Sequence, residues 1–368
     1  MSALAASSAA CSLVGGATPS TSTALPTTTT LPASFEVGIH TFQWADTAPG
    51  VSHVGPDGTV PGRQLITEVR YPTLAGAAGF ETKNAPPASV GAPFPVVVFA
   101  HGYDTEPSDY AALLDSWVRA GFVVVSPRFP DENAAAVKAA GGPQPYLEED
   151  EFNEPGDLVY VLTQLGSIAD QPWGHELRGT LNLSDIALAG QSDGADVVAA
   201  LSFAALFKST YRQLPSMPKA VVVMSGTEWA TTLDQSVGAY AGGPQSPALL
   251  QIQSDADGCV RPGSEPDPQA GTALRLWSDL EPTVGSKWFV TLLGADHLGP
   301  YEKKAPWAAV VESVTTRFLE LELRWRSSSV SAASVRRAGT RSGVSRAVSM
   351  KEVDMPLAAP NGSCGLQQ

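Results

Sequence analysis

The sequence predicts an α/β protein with a mainly parallel central sheet and helices on both of its faces. Short, continuously apolar runs alternate with helical patterns along the middle of the chain, which is typical of a parallel sheet covered on both sides. The 368 residues are 43% hydrophobic, enough to bury a sizeable core in at most two domains. The chain has no apolar run of about 18 or more residues, so no membrane-spanning helix is predicted.

Individual runs predict the elements of this sheet. An alternating run at 63–71 predicts an early edge strand, and apolar runs predict inner strands at 95–102, 122–127, 186–190, 220–226, 248–254 and 287–294. Helices are predicted over 110–120, over 157–165, after Ser192 and over 305–325. Together these elements predict one α/β catalytic domain over residues 34–326.

Both ends of the chain lack a core-forming pattern. Residues 1–33 are small and apolar up to Cys11 and then form a Thr/Ser/Pro linker. A cysteine after small residues resembles the leader of bacterial lipoproteins, although no basic residue precedes Arg63. We therefore expect a truncated leader and either a lipoprotein tethered to the membrane through lipidated Cys11 or a secreted protein, with a disordered cytoplasmic arm as the alternative. Residues 327–368, rich in Ser and Arg, are expected to be a disordered tail.

Charge and cysteine usage limit the function classes. A net charge of −14 and a pI near 4.7 argue against nucleic acid as a partner, because binding phosphates requires clustered Lys and Arg. Cys11, Cys259 and Cys364 lie far apart without ligand spacing, so no metal site is predicted. At most one disulfide can form within the chain, and Cys259 with Cys364 is one candidate pair.

One motif indicates catalysis. Gly190-Gln191-Ser192-Asp193-Gly194 follows a predicted strand and precedes a predicted helix, the context of a G-x-S-x-G nucleophile elbow. The sharp turn would raise the Ser192 hydroxyl above the sheet edge and direct the N-terminus of the next helix at developing negative charge. The alternative is a glycine-flanked turn without chemistry.

A nucleophilic serine needs a histidine with an acid behind it. Among five histidines, His297 follows the last predicted strand, where a loop would overhang the carboxyl edge of the sheet. Asp255 and Asp257 both follow the strand at 248–254. The sequence favours Asp257, because the loop must run past the strand before a carboxylate can turn toward the histidine, and Asp255 is interpreted as a turn or solvent residue. The chain order Ser, Asp, His matches the α/β-hydrolase order.

The remaining requirement is an oxyanion hole. Its donors are predicted to be the backbone N–H of Asp193 and that of Tyr103, in the loop after an early strand. Gly102 lets that loop approach the substrate, and His101 is interpreted as a structural residue. We expect the Asp193 side chain to turn toward solvent or cap the helix. Tyr103 and Trp229 are candidates for stacking on a substrate, with simple packing as the alternative for Trp229.

Four segments of the chain carry a family resemblance: "PVVVFAHGYDTEPSDYAALLDSWVRAGFVVVSPRFP", "IALAGQSDGADVV", "LLQIQSDADGCVRP" and "GADHLGP". Over about residues 36–322 the chain resembles the α/β-hydrolase superfamily. Within it, the chain is most similar to bacterial esterases grouped with platelet-activating factor acetylhydrolase, chlorophyllase and the polyester hydrolases. The resemblance implies an α/β-hydrolase fold and a cofactor-free serine esterase that forms an acyl-enzyme, with Ser192, Asp257 and His297 at the matching positions.

The chain also departs from that group. Gln191 replaces the usual His before the nucleophile, and Asp193 replaces the Met common in polyester hydrolases. The segment after the strand at 220–226 is short, which predicts no large lid domain. We expect a monomer that hydrolyses short-chain or exposed esters, either small molecules or polymers such as polyesters. The alternatives are a dienelactone-type hydrolase, a peptidase, or a non-catalytic binding module on the same fold.

Overall fold

The continuously apolar runs of the sequence assemble into one large, mostly parallel sheet. The computed structural model describes residues 31–55, 58–204, 216–227, 240–242, 246–260, 276–277, 279–280, 286–323 and 330–349. All of these except residue 31 belong to one compact unit. The predicted mixed α/β class is confirmed, and the leader, with Cys11, lies outside the described residues.

The described strands are bounded as follows: β1 (Glu36–Asp46), β2 (Ser52–Gly55), β3 (Gly58–Pro61), β4 (Arg63–Thr73), β5 (Glu81–Lys83), β6 (Phe94–Ala100), β7 (Val123–Pro127), β8 (Leu181–Gln191), β9 (Ala220–Met224), β10 (Ala248–Ser254), β11 (Lys287–Leu292) and β12 (Ser345–Ser349). Strands β2 and β3 form a separate hairpin. The other ten are ordered β12-β11-β10-β9-β8-β6-β7-β4-β1-β5 across the sheet. The six predicted inner strands are thus confirmed as β6 to β11.

Strand β4 corrects one prediction. The run at 63–71 was expected at the sheet edge, but β4 pairs antiparallel with both β1 and β7. Its alternating pattern arises because one face of the strand is partly exposed near its start. The exposure of a face does not show whether a strand has hydrogen-bonded neighbours along both of its edges. The three-residue strand β5 occupies that edge.

Helices cover both faces of the sheet. Those described are α1 (Ala111–Ala120), α2 (Ala134–Ala139), α3 (Pro145–Glu148), α4 (Glu154–Gly166), α5 (Asp193–Phe203), α6 (Gly299–Glu302), α7 (Trp307–Glu322) and α8 (Ala332–Gly339). Successive residues of β6 enter different apolar clusters: Val96 packs with α4 and α5, and Val97 packs with α1 and α7. This alternation places one core on each face. Among the described helices, none is both long enough and apolar enough to cross a membrane.

Sheet topology positions the candidate site. Strands β8, β10 and β11 belong to the parallel part of the sheet, so their carboxyl ends lie at the same edge. The segments that leave this edge carry Ser192, the pair Asp255 and Asp257, and His297. Ligand sites of open α/β sheets lie at this carboxyl edge.

The prediction of a disordered tail over residues 327–368 is wrong for residues 332–349. Strand β12 pairs antiparallel with β11, and Val335 of α8 is buried. A Cβ on Gly339 would come within 3.1 Å of side-chain atoms of Val290 and Val314, so α8 lies close against the body of the protein. This contact buries few apolar side chains of the segment, among them Val335 and Ala347, so its Ser/Arg-rich composition did not indicate a packed element. Residues 350–368 lie outside the described residues.

Truncation tests the contribution of this segment. A chain ending at residue 326 loses α8 and β12, which uncovers β11 as an edge strand and exposes the apolar face of α7. We expect its free energy of unfolding to fall by about 3 kcal/mol, on the order of one or two buried apolar side chains. Urea denaturation would be compared with the full chain and with a chain ending at residue 349, which keeps both elements. Equal midpoints for all three would show that the segment contributes no stability.

Candidate active site

Ser192 lies at a sharp corner between β8 and α5. Its backbone has φ +56° and ψ −127°, a region that costs a non-glycine residue about 1–3 kcal/mol and occurs preferentially at functional sites. The flanking glycines are sterically required, because a Cβ on Gly190 would overlap the carbonyl oxygen of Gly194, and a Cβ on Gly194 would overlap that of Ala100. The chain therefore turns as tightly as the motif predicted.

Three side chains meet at this corner. Ser192 Oγ lies 2.9 Å from His297 Nε2, and His297 Nδ1 lies 2.9 Å from Asp257 Oδ2. A carboxylate only accepts hydrogen bonds, so the imidazole proton is on Nδ1 and the Nε2 lone pair faces the serine hydroxyl. The three residues are 7%, 4% and 0% exposed, in the order Ser192, His297, Asp257, which limits the access of water to the charges of the pair.

The two candidate acids have different partners. Asp257 Oδ1 accepts hydrogen bonds from the backbone N–H groups of Cys259 and Val260, both at 2.9 Å. These bonds hold its carboxylate toward His297. Asp255 Oδ1 instead accepts from the backbone N–H of Gly294, so it joins the loop after β10 to the end of β11. The structure thus brings Asp257, and not Asp255, to the histidine.

The loop after β6 approaches Ser192 from the other side. A Cβ on Gly102 would lie 2.8 Å from Ser192 Cβ, so only glycine permits this approach. His101 is buried beneath the loop, and burial lowers its pKa to about 4. Its Nε2 accepts from the N–H of Phe129 and its Nδ1–H donates to the Gly102 carbonyl, which fits the predicted structural role. Within the described residues, the Tyr103 backbone N–H has no acceptor.

Tyr103 and Trp229 were the two aromatic candidates for stacking on a substrate, and the structure describes only the first. The Tyr103 ring packs against Val137 and Leu147, and the residue is 6% exposed. Little of the ring is left for the predicted stacking on a substrate, because the segment with α2 and α3 covers it. Trp229 lies outside the described residues. Part of the segment between β9 and β10 also lies outside the described residues. The prediction of no large lid domain depends on that segment and stays a prediction.

Gln191 connects the histidine to the loop after β6. Its side chain is fully buried; Oε1 accepts from the Tyr110 hydroxyl at 2.6 Å, and Nε2 lies 3.3 Å from both Nε2 and the carbonyl oxygen of His297. The Tyr110 hydroxyl in turn accepts from the Gly102 N–H at 3.4 Å. In the sequence, Gln191 is visible only as a departure from a family pattern. Tyr110 is not indicated at all, because its separation of 81 residues from Gln191 leaves no local signal.

Asp193 corrects a further expectation. Its carboxylate was expected to turn toward solvent or cap α5, but Oδ1 lies 3.3 Å from Ser192 Oγ, and Oδ2 is buried without a partner. Burial is the larger cause and the negative charge of Glu148 the next, and together they raise the pKa of Asp193 to about 6. A carboxylate that is anionic at neutral pH therefore lies beside Ser192.

The acidic segment at 147–157 is not the solvated loop that its composition suggests. Asp150 and Asp157 are buried and accept hydrogen bonds from the guanidinium of Arg63, each with a contact of 2.7 Å or less. Glu154 and Glu132 are also buried. Burial is the largest cause and repulsion by neighbouring carboxylates the next, and together they raise the pKa of both glutamates well above the usual value. The segment turns inward because it supplies the counter-charges of a buried arginine.

Among the residues that the structure describes, one set has ligand atoms close enough for a metal ion: Asp257, Cys259 and His297, within 4.8 Å of one another. Cys259 is in a disulfide, so its sulfur is not the thiolate that a metal would require. The other cysteines, Cys11 and Cys364, lie outside the described residues. Asp257 and His297 already bond to each other, and the set therefore does not fit a metal in this state.

No family model matches the sequence, and no curated protein matches it. The interpretation of the site therefore depends on its geometry and chemistry.

Proposed function

We propose that the chain is a serine carboxylic-ester hydrolase of the α/β-hydrolase type, acting through an acyl-enzyme on Ser192. The observation that carries the proposal is the continuous hydrogen-bonded series Ser192 Oγ, His297 Nε2, His297 Nδ1 and Asp257. The strained corner at Ser192 supports it, because a structure retains such backbone strain where the geometry has a use.

In the proposed reaction, His297 Nε2 takes the hydroxyl proton as Ser192 Oγ attacks the ester carbonyl. The imidazolium is stabilised by Asp257, which holds the ring in the required tautomer. The backbone N–H of Tyr103, the N–H of Asp193 and the N-terminus of α5 would stabilise the oxyanion. The imidazolium then protonates the leaving alcohol, and a water activated by the same histidine hydrolyses the acyl-enzyme.

Turnover of p-nitrophenyl acetate and butyrate tests the proposal most directly. A fluorophosphonate probe should label Ser192 stoichiometrically, with the site identified by peptide mass spectrometry. A panel that extends to a dienelactone, a peptide amide, emulsified triglyceride and polyester film would define the substrate range, for which we propose short-chain or exposed esters. Absence of both turnover and labelling in a folded sample would favour the non-catalytic binding module.

Asp193 should give the proposed hydrolase an unusual pH dependence. With its pKa raised to about 6, the carboxylate is anionic at pH 8 and opposes the negative charge of the oxyanion. Two unit charges about 4 Å apart interact by about 4 kcal/mol at an effective dielectric constant near 20. If about a third of this repulsion raises the activation barrier, the reaction slows by about tenfold. We expect Asp193→Asn to raise kcat/KM for a neutral ester by about tenfold at pH 8. Near pH 5, where Asp193 is mostly protonated, variant and parent should be similar.

The ratio of variant to parent rates, measured from pH 5 to 9, removes the pH effects that both proteins share. Glu149→Gln is the matched control, because it removes one negative charge from an exposed position of the acidic segment and should leave the ratio flat. A ratio for Asp193→Asn that does not change with pH would contradict an electrostatic role for this carboxylate.

A further inference from the structure

A groove of about 630 Å³ lies between α7 and α8, away from the candidate active site. Three arginines line it, together with three hydroxyl residues: Arg317, Arg337, Arg341, Ser313, Ser334 and Thr340. The three arginine side chains are exposed. The groove is of the size that binds small ligands.

Positive charge in the groove is incompletely neutralised. Arg317 pairs with Glu320 at 2.7 Å, but neither Arg337 nor Arg341 has an ion-pair partner among the described residues. Residues 330–349 contain four arginines and no acidic residue, in a chain of net charge −14. A local concentration of cations on an acidic protein attracts anions to that one surface.

The groove is formed by packed elements. Pairing of β12 with β11 and burial of Val335 fix α8 against the body, and a reciprocal capping box between Ser331 and Ser334 defines the start of α8. Thr340 Oγ1 accepts from the Ala347 N–H at 3.3 Å, so its own hydroxyl proton is available to a ligand. Donors held on rigid elements lose less conformational entropy on binding.

We propose that this groove binds an anion that carries two or more phosphate groups. Guanidinium groups bind phosphate oxygens in a planar, bidentate manner, and two uncompensated arginines match two phosphates better than one. The hydroxyls of Ser313 and Thr340 add neutral donors on the same surface. A soluble polyphosphate and clustered phospholipid headgroups present the same chemistry. The proposal does not depend on the proposed hydrolase activity.

Titration calorimetry of the full chain with tripolyphosphate in low salt tests the proposal. We expect saturable binding that weakens as salt rises, because phosphate contacts release counterions. Arg337→Gln and Arg341→Gln should each weaken binding by about tenfold, consistent with the loss of one charge-assisted contact. Arg346→Gln is the control, because it removes the same charge from an exposed position of β12 outside the groove and should bind as the parent does.

Sedimentation with vesicles separates the two sources of phosphate. Binding to phosphatidylglycerol vesicles but not phosphatidylcholine vesicles, lost in Arg337→Gln and competed by tripolyphosphate, would identify a headgroup site. Binding of tripolyphosphate without vesicle binding would identify a soluble ligand. Absence of saturable binding to both, or equal weakening by Arg346→Gln, would overturn the proposal. Thermal unfolding and ester turnover of each variant, expected to match the parent, exclude a general loss of structure.

Discussion

Replacing Ser192 by Ala is expected to lower kcat for a short-chain p-nitrophenyl ester by about 10⁶-fold, the scale seen when a triad loses its nucleophile. The fold should persist, because alanine keeps the Cβ that the corner already accommodates and removes only Oγ. The substitution removes the oxygen that would attack the ester, together with its contacts with His297 and Asp193. Alanine provides no other nucleophile at this position. The measurement is steady-state turnover, with circular dichroism and thermal unfolding as checks of structure.

Ser184→Ala is the matched control for this experiment, because Ser184 is exposed near the start of the same strand β8. Its turnover and its labelling by a fluorophosphonate probe should equal those of the parent. Near-parental turnover by folded Ser192→Ala would refute the serine-esterase proposal. Labelling of another serine in that variant would show that a different serine is the nucleophile.

Asp257→Asn should lower kcat by about 10⁴-fold, the magnitude found for the analogous change in a serine protease. An amide at this position can donate as well as accept, so it no longer enforces the proton on His297 Nδ1 or stabilises the imidazolium. The backbone N–H groups of Cys259 and Val260 can still bond to the remaining amide oxygen, so the loop should keep its conformation.

Asp255→Asn provides the internal comparison. Its only described side-chain bond is to the Gly294 N–H, at an exposed position, and an asparagine oxygen can accept the same bond. The expected change in kcat is small, in keeping with surface substitutions that shift stability by about 0.5 kcal/mol or less. A large loss for Asp255→Asn with a small one for Asp257→Asn would reverse the assignment. Two small effects would mean that His297 is supported by another acid.

Proximity of the three proposed catalytic residues could be inferred from chain order. Each of Ser192, Asp257 and His297 follows a buried apolar run that forms an inner parallel strand. Carboxyl ends of parallel strands lie at the same edge, so the sequence pattern already predicts that these residues converge. The glycines on either side of Ser192 add a local steric requirement that is also visible in the sequence.

Contacts between distant charged and polar residues could not be inferred in this way. Composition alone suggested a solvated loop at 147–157, but Arg63, 94 residues before Asp157, draws that segment into the interior. Similarly, Gln191 meets Tyr110 and His297 only because three separate segments pack around it. The energy of a buried charge depends on its partners, and those partners carry no signature at a fixed sequence spacing.

The sequence by itself determined the mixed α/β class, the inner strands and the tight corner at Ser192, because these depend on local apolar runs and on glycine sterics. Only the tertiary structure decided that Asp193 lies against Ser192 and that residues 332–349 fold onto the body. Both outcomes depend on surfaces contributed by remote segments: the buried acids near α5 in the first case, and the free edge of β11 in the second. A short stretch that buries Val335 and Ala347 and brings Gly339 close to the body needs such a preformed surface to become ordered.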